Sequence, residues 1–398
     1  MEDYELPGQN FLIIDLGASL PYTHHKHSIY AFATLLRNKN IGCQIWVPIG
    51  SEIDVLNFSI RKILLAGTHA PEFKLFKIKS WPNGILNKTL IFTLRINSKF
   101  LIRQQVWLIS NYLKFLILRV QQKYSGIIFT TACPFAINTV YALEARKIHT
   151  AIYFRLTNTS ETRGAIAKIY DYNKLIENSK SFNYVKIRFG IETEQYLTKL
   201  NSEHNSKFYI SPFPYIEKSI KSYSNDKPLT ISFLGYPTKD KGHDQIFPIV
   251  EKVSKLKPNY KWQIQLYEND PIHFPLKKLS TNLLIVNGKI SSVEMLELMN
   301  QTDIMILPYN PKSFDYHASA MHYSAMDHVI PVFCFQGSTF AYDILKFNSG
   351  FVSKNLQGMC DALVKIRSDQ IIEWKNGCEM YNSSRDAANE FFLSLKVL

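Results

Sequence analysis

Two stretches of this chain, residues 229–246 (LTISFLGYPTKDKGHDQI) and 303–333 (DIMILPYNPKSFDYHASAMHYSAMDHVIPVF), share one order of parts. Each runs from an apolar segment through a polar loop into a segment with helical spacing. A strand that feeds a loop and then a helix belongs to a parallel sheet, because a crossover must carry the chain back before the next strand can pair. The same order has a chemical bias. A helix N-terminus leaves backbone N–H groups unpaired and carries the positive end of the peptide dipoles, so the loop end suits an anion.

The rest of the chain repeats the alternation. Short apolar runs predict strands over 11–16, 41–47, 125–130, 150–156, 184–189 and 207–210, then over 230–234, 262–266, 283–286, 304–307 and 331–335. Helical periodicity predicts helices over 27–37, 136–145, 244–256, 292–300 and 319–327. Residues 50–100 show no clear period. Residues 211–228 hold three prolines and several Ser and Lys, and read as a linker. The tail from 370 onward has helical character, with Trp374, Phe391 and Phe392 as apolar anchors. The expectation is an α/β chain of two Rossmann-like, doubly wound parallel-sheet domains, residues 1–215 and 216–375, with a final helix over 376–398.

Apolar residues make up 46% of the chain and charged residues 20%, which excludes an intrinsically disordered protein. The five cysteines are widely spaced and contain no C-x-x-C pair, so neither a disulfide framework nor a zinc site is expected, and a reducing cytosol fits. The first residues, MEDYELPGQNFLII, are acidic where an export signal is basic. No P-loop, G-x-S-x-G, H-E-x-x-H or G-x-G-x-x-G motif is present.

The net charge of +13 is unevenly spread. Between Glu72 and Glu144 there is no acidic residue, yet ten basic ones occur: Lys74, Lys77, Lys79, Lys88, Arg95, Lys99, Arg103, Lys114, Arg119 and Lys123. Within that stretch, 101–120 (LIRQQVWLISNYLKFLILRV) is strongly apolar at helical length. One reading is a core helix whose basic side chains snorkel to water. Another is a helix on an anionic membrane surface, with residues 73–143 as the contact. Nucleic acid is not expected as a partner, since no binding motif accompanies the charge.

The two strand–loop–helix stretches resemble the donor-binding half of retaining GT-B glycosyltransferases. There the first motif reads Phe-x-Gly-Arg and then Lys-Gly, with Arg and Lys neutralising a diphosphate. Phe233, Gly235, Lys241 and Gly242 match, and Tyr236 stands at the Arg position. The second motif reads Glu-Ala-(Met/Leu)-Ala-x-Gly-x-Pro-Val, with the Glu accepting from ribose hydroxyls. Ala325, Met326, Pro331 and Val332 match; Ser324 replaces the Glu and Val329 the Gly. A preceding Tyr-Arg-Ser-Ser-Gly appears here as Tyr316-His317-Ala318-Ser319-Ala320.

The resemblance implies two domains facing across a cleft, with the last helix crossing back to the first domain. It implies a nucleotide-sugar donor and a glycan or lipid-linked acceptor in polysaccharide synthesis. It further implies retention of configuration and no metal or other cofactor. In the family's usual picture the leaving phosphate helps deprotonate the acceptor, so no strong general base need be visible.

The expected donor site comprises Gly17, Gly235, Tyr236, Lys241, Lys289, Tyr309, Ser319, Ala320, Met321 and Ser324. Lys241, between a strand-end glycine and a helix start, is placed to meet a diphosphate; the plain alternative is an exposed helix-start lysine. Ser319, Ala320 and Met321 would offer backbone N–H groups to the distal phosphate, and Ser324 a hydroxyl to the ribose. His317 would donate to phosphate if protonated, or is a surface-loop histidine. His24, Lys241 and His317 are the catalytic candidates, and His25, His27 and Arg155 are assigned to the acceptor side. The cluster His24-His25-Lys26-His27 has no neighbouring carboxylate, which argues against metal. The alternative reading is a non-catalytic GT-B-fold protein that binds a glycan, a nucleotide-sugar or a partner enzyme. Another use of the fold, in sugar-phosphate or nucleoside chemistry, is a third.

Overall fold

The structure is a computed structural model that describes residues 10–15, 24–48, 51, 58–64, 112, 114, 116–117, 124–130, 134–156, 172–203, 208–215, 227–279, 282–288 and 290–394. It divides into two compact units, one of Met1–Ile191, Asn201–Tyr209 and Phe392–Leu398, the other of Glu192–Leu200 and Ile210–Phe391.

The first unit carries β1 (Asn10–Ile14), α1 (His24–Asn38), β2 (Gly42–Pro48), β3 (Ile60–Leu64), β4 (Gly126–Phe129), α2 (Pro134–Ala145), β5 (Thr150–Leu156), α3 (Tyr172–Ser179) and β6 (Val185–Ile191). After α4 (Glu194–Glu203), whose residues through Leu200 belong to the second unit, comes the short β7 (Phe208–Ile210). The strands order as β3-β2-β1-β4-β5-β6-β7. Pairing is parallel from β3 through β6, and successive strands are added outward in opposite directions from β1 and β4. The central strands are mostly apolar and buried because helices cover both faces. Phe11, Ile13, Phe32, Ile45, Val47, Ile128 and Tyr153 form one core, completed by Phe392 from the chain's last helical residues. The Phe392 ring meets Tyr153 edge-on at 5.4 Å, and its carbonyl accepts from Arg188 at 2.9 Å.

The second unit runs β8 (Thr230–Phe233), α5 (His243–Leu256), β9 (Lys261–Leu266), α6 (His273–Leu279), β10 (Leu283–Asn287), α7 (Ser292–Gln301), β11 (Ile304–Leu307), α8 (Ala320–Asp327), β12 (Val332–Phe335), α9 (Thr339–Phe347), β13 (Gly350–Ser353), α10 (Leu356–Val364) and α11 (Ser368–Leu393). The order β10-β9-β8-β11-β12-β13 is all parallel. The switch point therefore lies between β8 and β11, where an open α/β sheet leaves a crevice at its carboxyl edge. One core fills the face under α5 and α10, with Ile231, Phe233, Val250, Trp262 and Ile264. The other lies under α8 and α9, with Met305, Leu307, Tyr323, Val332 and Phe340.

Part of the proline-rich segment is core rather than connection. Phe213 is buried in the second unit, and the Arg385 guanidinium donates to the carbonyls of Phe213 at 2.8 Å and Pro214 at 3.1 Å. Helix α11 is continuous from Ser368, and its residues through Phe391 belong to the second unit. Of the apolar basic stretch 101–120, Tyr112, Lys114, Leu116 and Ile117 are described, all helical; most of residues 73–143 lie outside the described residues.

Candidate functional site

The site of the second unit begins with an alternation in β9. In Lys261–Leu266, Trp262, Ile264 and Leu266 point into one core, which turns Gln263 and Gln265 to the opposite face. Both amides are buried, so each must find partners. Gln263 joins a neutral network: Ser232 Oγ donates to its Oε1 at 3.0 Å, and Thr302 Oγ1 lies 2.7 Å from Ser232 Oγ. Gln265 does more. Its Oε1 accepts the Gly235 N–H at 2.8 Å, while its Nε2 donates to the Gly288 carbonyl at 2.7 Å. One side chain thus fixes the loop after β8 and the loop after β10.

Gly235 needs to be glycine on two counts. Its φ is +100°, and an added Cβ would fall 2.7 Å from Met321 Cγ. Tyr309 Oη would be 3.9 Å from the same point. Residues from both sequence motifs therefore meet at the carboxyl edge of the sheet, beside the switch point.

The loop continues as a single 3-10 turn, Lys239–Lys241, and closes on Gly242 at φ +72°. A Cβ on Gly242 would sit 1.9 Å from the Pro308 carbonyl oxygen, so the turn is pressed onto the loop after β11. That seam is hydrogen-bonded as well: Asn310 N donates to the Asp240 carbonyl at 2.9 Å, and Ser313 Oγ to Asp240 Oδ1 at 2.8 Å. Lys241 is half-buried in this block. Burial holds its ammonium below the usual lysine range, and no carboxylate among the described residues forms an ion pair with it. A partly desolvated cation in that position is stabilised by an anion brought from outside.

The second loop supplies a different set of groups. Ser319 is the N-cap of α8; its Oγ accepts the His322 N–H at 3.2 Å, so its acceptor capacity serves the helix. Ala320 is exposed and Met321 half-buried at the first two helical positions. Tyr309 is buried against Phe314 and Phe340, with ring centroids 4.6 and 5.5 Å away. Burial raises its phenol well above the ordinary value; the Ser319 hydroxyl alongside opposes the shift without forming a well-aligned hydrogen bond. His317 is half-buried, its ring 6.4 Å from Phe314. Ser324 is half-buried too, and its carbonyl accepts the His328 N–H at 3.3 Å. At the position of the family's arginine, Tyr236 is 47% exposed and packs edge-to-face on Tyr267 at 5.1 Å, a polar-edged aromatic pair in place of a guanidinium. Next to it His243, the first residue of α5, holds Asp270 at 2.6 Å.

Three features were not anticipated from sequence. Gln265 was hidden because glutamine in a strand reads as surface, although W-Q-I-Q-L alternates with strand period. Asp327, the last residue of α8, is buried and pairs with Arg385 of α11 at 2.8 Å. Asn382 Nδ2 adds a bond to the Met326 carbonyl at 2.7 Å, so the helix beneath the second loop is clamped from behind. Finally, Val329 occupies the expected glycine position at φ +55°, a left-handed conformation that is costly for a β-branched residue.

In the first unit, Arg155 is buried within the unit's own interior. It donates to Ser28 Oγ at 3.2 Å and to the Thr130 carbonyl at 3.4 Å. His24, His25 and His27 lie in the first turn of α1, with side chains outside the described residues. Gly17 and Lys289 are also outside them. Among the described residues no three His, Cys, Asp or Glu side chains converge as a metal site, and no helix is long and apolar enough to cross a membrane.

No protein-family model and no curated protein matches the chain. Solved structures do. Trehalose-6-phosphate synthase OtsA is similar with a TM-score of 0.61 at 12% identity, covering 96% of this chain and 98% of that one. A structure from E. coli, bound with UDP-2-fluoro glucose, gives 0.61 at 11%, covering 97% and 99%. WaaG, a glycosyltransferase involved in lipopolysaccharide biosynthesis, gives 0.54 at 12%, covering 96% and 100%. With its two doubly wound parallel sheets, the chain has the GT-B fold.

Proposed function

We propose that this protein is a glycosyltransferase, taking a nucleotide-sugar on its second unit and passing the sugar to a glycan or lipid-linked acceptor. The observation that carries the reading is Lys241: a partly desolvated ammonium without a carboxylate partner among the described residues, set in a loop that Gly235, Gly242 and Asp240 lock onto the second motif. As the bond between sugar and diphosphate lengthens, negative charge grows on the leaving phosphate. Lys241 and the N–H groups at the start of α8 would stabilise it there. His24 and His317 are the further catalytic candidates. The leaving phosphate would take the acceptor proton, giving a retaining, metal-independent transfer. His25 and His27 belong to the acceptor side in this reading. The basic stretch 73–143 would hold the protein to an anionic leaflet from the cytoplasmic face.

A second reading keeps the fold and the binding but not the chemistry. It is favoured by Tyr236 standing where an arginine would neutralise diphosphate, and by Ser324 offering no carboxylate to a ribose. Incubation with a panel of nucleotide-sugars and candidate acceptors, followed by free-nucleotide release with and without EDTA, separates the two. Release with at least one donor, unchanged by EDTA, is expected. Ligand-induced thermal stabilisation without release from any donor would favour the binding protein, and release abolished by EDTA would overturn the metal-free mechanism.

A further inference from the structure

Behind the Lys239–Lys241 turn the second unit has a pocket of about 400 Å³ that does not include Lys241, Gly235, Tyr309 or α8. It is walled by the loops after β8, β11, β12 and β13, on the side of the sheet covered by α5 and α10. That volume lies in the range of small-molecule sites, about 300–1,000 Å³, so it exceeds what a lone ion needs.

The polar groups of this pocket are biased in one direction. Lys239 and Lys354 line it from opposite loops, and neither has a carboxylate partner among the described residues. Four amides also line it, Asn310, Asn355, Gln245 and Gln336, and the two asparagines have already committed their oxygens. Asn310 Oδ1 accepts from Lys312 N at 3.1 Å, and Asn355 Oδ1 from Gly358 N at 2.9 Å. In each asparagine the NH2 is what remains for a ligand. The one carboxylate on the lining, Asp244, accepts from Gln245 Nε2 at 3.1 Å. Phe335 and Pro308 supply apolar wall between these donors.

Two ammonium groups and two amide NH2 groups around a space of this size call for a compact anion with several acceptor oxygens on a small organic body. A phosphate monoester has that form, with three acceptor oxygens and nearly two negative charges at neutral pH, whereas a carboxylate offers two oxygens and one charge. We propose that this pocket binds a small phosphate monoester of sugar size, with Lys239 and Lys354 as charged contacts and Asn310 and Asn355 as amide donors. The site is separate from the donor site, although both use the loop after β8.

Calorimetric titration of the full chain with ribose 5-phosphate, with ribose as the neutral control, tests this. Saturable binding of the phosphate and none of ribose is expected, and saturating UDP should leave the phosphate affinity unchanged. The double variant Lys239→Ala/Lys354→Ala should bind about tenfold or more weakly. Both lysines are exposed, so its thermal midpoint should equal the parent's, and its UDP affinity should too. Absence of binding by the parent, equal affinity in the double variant, or displacement by UDP would each overturn the assignment.

Discussion

The two sheets share a strand order around their switch points, yet they fill those points differently. At the ends of β1 and β4 in the first unit, the polar interior is charged. Asp15 is buried and accepts from Thr130 Oγ1 at 2.6 Å, and the Arg155 guanidinium reaches the Thr130 carbonyl and Ser28. Along β8 and β9 and just before β11 in the second unit, the buried polar side chains Ser232, Gln263, Gln265 and Thr302 are neutral and bond one another and the backbone. The difference teaches where free charge is kept. In the first unit the buried arginine is committed to internal acceptors, whereas the second unit holds its loops with amides and keeps Lys241 without a carboxylate partner among the described residues, as the proposed donor site requires.

The largest effect should come from the fully buried Asp327–Arg385 pair of the second unit. Asp327→Ala strands the Arg385 guanidinium in the core and should destabilise that unit by about 3–5 kcal/mol. Hydrogen exchange read peptide by peptide should show the loss in the second unit's strands, with the first unit's strands unchanged. A loss below about 1 kcal/mol would mean that the carbonyls of Phe213 and Pro214 already satisfy Arg385.

A matched pair of variants tests the contrast itself. Thr130→Val removes a hydrogen bond to a carboxylate and should cost about 1.5–3 kcal/mol, while Ser232→Ala should cost about 0.5–1.5 kcal/mol. In the latter Thr302 Oγ1, 3.3 Å from Gln263 Oε1, keeps that acceptor paired. Urea unfolding of both variants that gave equal losses would remove the distinction between charged and neutral interiors.

The smallest effect concerns Val329. Replacing it with Gly loses the burial of a valine side chain, about 1.5–3 kcal/mol, but relieves left-handed strain of about 1–2 kcal/mol. The net change should stay within about 1.5 kcal/mol of the parent. Val332→Gly, equally buried in β12 without a positive φ, should cost clearly more. Equal losses would show that Val329 carries no strain.

Much of this was legible in the sequence, and for a physical reason. The central strands are buried on both faces, so β1, β2, β4, β5, β8 and β11 stand out as apolar runs, while β9 shows by its alternation. Two of the edge strands do not: β3 reads IRKIL and β13 reads GFVS, too charged or too short to declare a strand, whereas the edge strand β10, LLIVN, does. Gly235, Gly242 and Lys241 could be found because backbone geometry and a charge at a helix start leave a local signature. Gln265 could not, since its role depends on Gly235 and Gly288, which reach it through pairing with neighbouring strands. The proline-rich residues 211–215 misled for the same reason, their partner Arg385 lying far along the chain.

The central claim, that Lys241 is held free for a diphosphate, is tested most directly by calorimetric titration of UDP and GDP into the parent and Lys241→Ala. One lost charge-assisted contact corresponds to about 1.5–3 kcal/mol, so the variant should bind the preferred nucleotide roughly ten- to a hundredfold more weakly with an unchanged unfolding midpoint. Equal affinity in the two proteins would contradict the account and place the diphosphate, if it binds at all, elsewhere.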